Sequence, residues 1–128
     1  MLSLATAIIF VLLVIVELMR NKRQGFQLTP LQTTQKINHD HAVILDIRPN
    51  DTYRKGHILD AQSWTTKDIK ENTKKLEKLK NKPIILVCQL GGESQKVAAL
   101  LIKQGYNAYS LAGGMRSWNE AQLPLIKE

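Results

Sequence analysis

Apolar residues in this chain fall into two kinds of run. One is long: Leu2 to Met19 is apolar except for Ser3, Thr6 and Glu17. Eighteen residues at 1.5 Å rise make a helix of about 27 Å, close to the roughly 30 Å hydrocarbon core of a bilayer. The others are short. Ala42 to Ile47 is interrupted only by Asp46 and Ile84 to Val87 is unbroken; Asn107 to Leu111 reads as a third strand. Short continuous runs suit strands buried on both faces, as in a parallel sheet. Helical patterns lie between them. Thr29-Pro30 caps a helix over Leu31 to Asn38, and Asp51 to Lys55 forms one turn. Ala61 to Trp64 predicts a short strand. Thr65 to Asp68 is a capping pattern opening a helix to about Leu79, with Ile69, Leu76 and Leu79 as its apolar stripe. Ser94 to Gln104 presents Val97, Ala98, Leu100 and Leu101 and ends at Gly105; Gly113-Gly114 precedes a last helix, Met115 to Gln122. Strands alternating with helices predict an α/β fold with a mainly parallel sheet flanked by helices, preceded by one transmembrane helix.

The 128 residues therefore divide into an anchor at 1–20, a basic linker at 21–29 and one domain at 30–128. No Lys or Arg precedes the apolar block, and Arg20, Lys22 and Arg23 follow it, which favours a retained anchor over a cleaved signal peptide. The same flank predicts that the domain stays in the cytoplasm at the inner membrane. The net charge of +7 could indicate nucleic acid or an anionic surface. The lysines from Lys67 to Lys82 cluster on or next to one predicted helix, mixed with acids and without interleaved aromatics. That pattern argues against nucleic acid and fits a solvated face, with anionic lipid as the alternative.

The candidate chemistry sits in one heptapeptide: Cys88-Gln89-Leu90-Gly91-Gly92-Glu93-Ser94. Cys88 is the single cysteine, which excludes an intrachain disulfide and a multi-cysteine zinc site. It lies between a strand end and a helix start, in a glycine-containing loop. Backbone N–H groups there can face the sulfur, with the positive end of the helix dipole beneath it, the setting of a reactive thiolate. Working loops of parallel sheets lie at the carboxyl ends of strands, where Asp46-Ile47-Arg48 also falls.

With these residues in place, the chain resembles the single-domain rhodanese (sulfurtransferase) family, in particular bacterial members with one N-terminal membrane helix. The marks are Asp46-Ile47-Arg48, Tyr53-Arg54-Lys55-Gly56-His57-Ile58, the loop opening at Cys88, Gly105-Tyr106, Gly113-Gly114-Met115-Arg116-Ser117-Trp118 and Leu123-Pro124. None is specific alone; their order and spacing are. The resemblance implies that Cys88 takes a sulfane sulfur from a small-molecule or protein-borne donor as a persulfide and passes it to a thiol or cyanide. It implies that Gln89, Leu90, Gly91, Gly92, Glu93 and Ser94 form the cradle, and that no metal or organic cofactor is needed. Asp46 and Arg48 are read as an ion pair or as residues that orient the loop from behind. The resemblance makes His57 structural; His39 and His41 are read as surface residues, Trp64 and Trp118 as packing, and Arg116 as a solvated or pocket-edge residue.

One position departs from the family pattern. Glu93 stands where an arginine or small polar residue is common, and a carboxylate opposes a thiolate or an anionic donor. At about 6 Å the repulsion is about 3 kcal/mol at an effective dielectric of 20, and about 0.7 in water. A helix N-terminus contributes about 0.3–1 kcal/mol. The expectation is weak activity with thiosulfate. The fold-sharing Cdc25-type phosphatases need a longer loop ending in arginine, which this chain lacks. The rival reading is a catalytically weak module that recruits a protein partner to the membrane.

Overall fold

The short apolar runs become the strands of one parallel sheet, because each carries apolar side chains to both of its faces. The computed structural model describes residues 3–24 and 26–127, without the side chains at 20–24 and 73. In chain order the elements are α1 (Leu4–Gln24), β1 (Gln27–Leu28), α2 (Pro30–Asp40), β2 (Val43–Asp46), α3 (Asn50–Lys55) and β3 (Gln62–Ser63). They continue with α4 (Thr66–Glu71), α5 (Thr73–Glu77), β4 (Ile84–Val87), α6 (Gly92–Lys103), β5 (Ala108–Leu111) and α7 (Gly114–Glu120). The strand order is β1-β5-β4-β2-β3, and every pairing is parallel. One face of the sheet (Leu45, Ile84, Leu86) packs on Ile69, Leu76, Val97 and Leu101 from α4, α5 and α6. The other (Ile44, Ile85, Val87) packs on Tyr53, Met115 and Trp118 from α3 and α7. The buried β4 thus holds the stem of the Cys88 loop from both sides.

Local signals explain most boundaries. The Thr29 side chain accepts from the Gln32 N–H at 3.1 Å while Gln32 accepts from the Thr29 N–H at 3.0 Å, a complete capping box ahead of Pro30. The end of α6 closes as a Schellman motif. Gly105, at φ +92°, donates to Ile102 O at 3.1 Å, and Tyr106 donates to Leu101 O at 3.0 Å.

Three expectations change. The stretch read as linker 21–29 contains β1. Ser110 N–H donates to Phe26 O at 2.8 Å and Ala112 N–H to Leu28 O at 2.7 Å, so these residues add an edge strand beside β5. The single helix expected from Thr65 to about Leu79 is two, broken at Asn72 (φ −98°, ψ 59°). Asparagine is a poor helix former whose short polar side chain competes with the backbone. Ile69 and Leu76 on either side of the break still reach one core cluster.

The third concerns the N-terminal helix. α1 forms, and every described side chain on it from Leu4 to Met19 is exposed. Among the described residues, however, no helix is long and apolar enough to cross a membrane. The apolar stretch from Leu4 to Met19 spans 16 residues, about 24 Å, which is short of the hydrocarbon core. Leu2, part of the expected span, lies outside the described residues, and the side chains of Arg20, Lys22 and Arg23 lie outside the described side chains.

Candidate active site

Cys88 follows directly on β4, and its Sγ turns under the loop; the residue is 5% exposed. Gly91, at φ +97°, reverses the chain and serves as N-cap of α6. That left-handed conformation favours glycine, and a Cβ here would also meet the Gly113 N at 3.0 Å. The turn aims the Gly91 N–H at Sγ (3.0 Å), and the Ser94 N–H reaches Sγ at 3.4 Å. Ser94 is the third residue of α6, so its N–H is one of the helix-end donors without an intrahelical partner. The sulfur takes that place.

A second helix holds the loop from behind. Met115 N–H donates to Cys88 O at 2.9 Å and Arg116 N–H to Gln89 O at 3.1 Å. With both carbonyls drawn toward α7, the amides of the turn are left facing the sulfur. This approach requires Gly114, at φ +60°, since a Cβ there would overlap the Cys88 and Gln89 carbonyl groups.

Behind the sulfur lies a buried hydroxyl pair. The Cys88 thiol donates to Ser94 Oγ at 3.3 Å, Ser94 Oγ donates to Gly91 O at 3.2 Å, and Ser94 Oγ lies 2.7 Å from Ser110 Oγ. Both serines are fully buried. Ser110, on β5, was not among the expected site residues. A serine in an otherwise apolar strand carries no sequence signal of its own; its place beside β4 comes from the sheet order.

Of the heptapeptide, the structure therefore brings Gly91 and Ser94 to the sulfur. Gln89, Leu90, Gly92 and Glu93 are exposed on the outer side of the loop, Leu90 by 64%. The Glu93 carboxylate accepts a hydrogen bond from Thr66 Oγ1 at 2.9 Å, which ties the loop to the start of α4. Asp46 and Arg48 form a buried bidentate pair, with Arg48 Nη2 2.7 Å from Asp46 Oδ2. Arg48 also donates to Gly56 O at 2.8 Å, bracing the connection around α3. His57 is buried, stacked on Tyr53 with ring centroids 3.9 Å apart, and its backbone bridges to Ile126. The Arg116 side chain pairs in solvent with Glu120 at 3.2 Å.

The sequence model of the rhodanese-like domain matches residues 29–121. The chain belongs to the rhodanese-like family. It is 37% identical over 98 residues to the uncharacterized protein YibN of Escherichia coli, a match covering 75% of this chain and 68% of YibN. It is 35% identical over 91 residues to the thiosulfate sulfurtransferase GlpE of Pseudoalteromonas translucida, covering 70% of this chain and 85% of GlpE. In fold, the rhodanese-like domain superposes on the crystal structure of a rhodanese-related protein from Thermoplasma volcanium with a TM-score of 0.72. That match has 24% identity and covers 80% of this chain and 98% of the other.

Proposed function

We propose that this rhodanese-like protein is a sulfurtransferase that carries sulfane sulfur on Cys88. The observation that supports it best is the pair of N–H groups, from Gly91 and Ser94, placed on a sulfur at the carboxyl end of a central strand. Donors fixed on a sulfur favour its anionic form, the nucleophile in sulfur exchange. With thiosulfate, the Cys88 thiolate attacks the outer sulfur. The Cys88 S–S bond forms, the donor S–S bond breaks, and sulfite leaves with the electron pair. An acceptor thiolate or cyanide then attacks the terminal sulfur of the persulfide and returns Cys88 as thiolate. Neither half-reaction calls for a cofactor. With Glu93 turned to Thr66, the carboxylate opposes an anionic donor only through water. Leu90 presents an apolar surface at the loop, which suits a protein-borne donor or acceptor thiol.

The proposal extends to placement at the inner membrane, with the domain in the cytoplasm. The support is the Leu4–Met19 part of α1, apolar except for Thr6 and Glu17 and with every side chain exposed, so that it lacks the broad polar face of a helix lying at an interface.

The deciding experiment is mass spectrometry of the full chain in detergent micelles after exposure to thiosulfate or an organic persulfide. A gain of one sulfur, about 32 Da, on Cys88 and its loss on adding a thiol are expected. If Cys88 takes up sulfur from neither donor, the reading fails in favour of a partner-binding module. For placement, a reporter fused after Glu128 that is active only outside the cytoplasm overturns the orientation.

A further inference from the structure

The hydroxyl pair behind Cys88 satisfies all of its contacts at once in one arrangement of hydrogens. Ser94 has one hydroxyl hydrogen, and it points to Gly91 O. The 2.7 Å contact admits either hydroxyl as donor; with the Ser94 hydrogen on Gly91 O, Ser110 donates and Ser94 accepts. Ser94 Oγ also accepts from the Cys88 thiol, so it takes two hydrogens and gives one. When Cys88 loses its proton to solvent, the sulfur changes from donor to acceptor. The 3.3 Å separation suits a hydrogen bond in either direction, so the Ser94 hydrogen can rotate from Gly91 O to Sγ while its oxygen stays in place. Ser110 continues to donate to that oxygen, which strengthens the outgoing bond. Ser110 has no exposed surface, so bulk water cannot supply the same hydrogen.

We propose that Ser110 is a positioning residue for Cys88: from β5, its hydroxyl holds and polarises Ser94 as a donor that follows the charge on the sulfur. It acts through Ser94. The inference rests on Cys88 being the reactive thiol of the proposed sulfur transfer, and it assigns to the site a residue outside the loop.

The test is the rate of Cys88 alkylation by iodoacetamide between about pH 6 and 10, a range that brackets thiol titration. The full chain in detergent micelles is compared as wild type, Ser110→Ala, Ser94→Ala and the double variant. Loss of one cooperative donor predicts that Ser110→Ala alkylates about threefold more slowly near pH 7, with the high-pH plateau unchanged. In the Ser94→Ala background, Ser110→Ala is expected to have no further effect, whereas a merely structural role would act equally in both backgrounds. Coincident wild-type and Ser110→Ala curves, or equal slowing in both backgrounds, would overturn the proposal. Sulfur uptake measured on the same samples separates the two claims. The predicted alkylation pattern without uptake from any donor removes the sulfurtransferase reading and leaves the role of Ser110 standing.

Discussion

Gly114→Ala tests how far the loop depends on the helix behind it. The glycine holds φ at +60°, and an alanine in that left-handed conformation costs about 1–2 kcal/mol. The new methyl would overlap the Cys88 and Gln89 carbonyls, so the start of α7 must draw back from the loop. That breaks the bonds from Met115 N–H to Cys88 O (2.9 Å) and from Arg116 N–H to Gln89 O (3.1 Å), each contributing about 1 kcal/mol. The expected loss is about 3–4 kcal/mol, a large part of the roughly 5–15 kcal/mol stability of a domain this size. Gly92→Ala is the matched control. Apart from its chain neighbours and the backbone of its own helix, nothing lies within 4 Å of a Cβ built there, so its effect should stay within about 0.5 kcal/mol. Urea unfolding of the full chain in mild detergent, followed by the fluorescence of buried Trp64 and Trp118, measures both. If Gly114→Ala unfolds within about 1 kcal/mol of wild type, the bracing role of α7 is wrong.

Three further outcomes follow from side-chain contacts. Arg48→Ala strands the buried Asp46 carboxylate and should destabilise by about 3–5 kcal/mol in the same urea assay; a loss below about 1 kcal/mol would mean the pair is solvated in practice. Glu93→Gln should raise thiosulfate:cyanide transfer only about threefold, the equivalent of about 0.7 kcal/mol of repulsion through water; a rise of tenfold or more would place the carboxylate at the sulfur. The Asp68 carboxyl is held below its ordinary value, chiefly by hydrogen bonding with Thr65 in the α4 capping box. Its folded-state value is the lower one, so its stabilisation is present above about pH 4 and fades as pH falls further. The gap in melting temperature between wild type and Asp68→Ala should therefore narrow between about pH 5 and 3, and a constant gap would count against the cap.

The cysteine loop was legible because its signals are local: an apolar strand, one thiol, glycines and a helix start within a dozen residues. The direction of Glu93 was not legible, because its partner Thr66 lies 27 residues earlier on a separate helix. β1 escaped for a similar reason. Two residues with one apolar side chain make no periodic pattern, and the partner strand lies some eighty residues downstream. Ser110 shows the limit most clearly. Within Ala108-Tyr109-Ser110-Leu111 nothing marks it, and its importance arises only when the strand order sets β5 against β4 and Ser94 descends from α6. The break at Asn72 was not legible, because Ile69, Leu76 and Leu79 keep an apolar spacing that reads as one helix across it.

The small edge strand also decides where the domain can be cut. The family match begins at residue 29, and a fragment started there would lack Phe26 and Leu28. Their carbonyls receive the Ser110 and Ala112 N–H groups, so β5 would become an open edge with two unpaired donors, the kind of surface that recruits strands from other molecules. Both core clusters would lose an apolar residue packed against them. One of the two vacated donors belongs to the same serine whose hydroxyl stands behind Ser94 and the sulfur. Trimming the chain to its recognisable family boundary would thus invite aggregation and loosen the reactive centre in a single step.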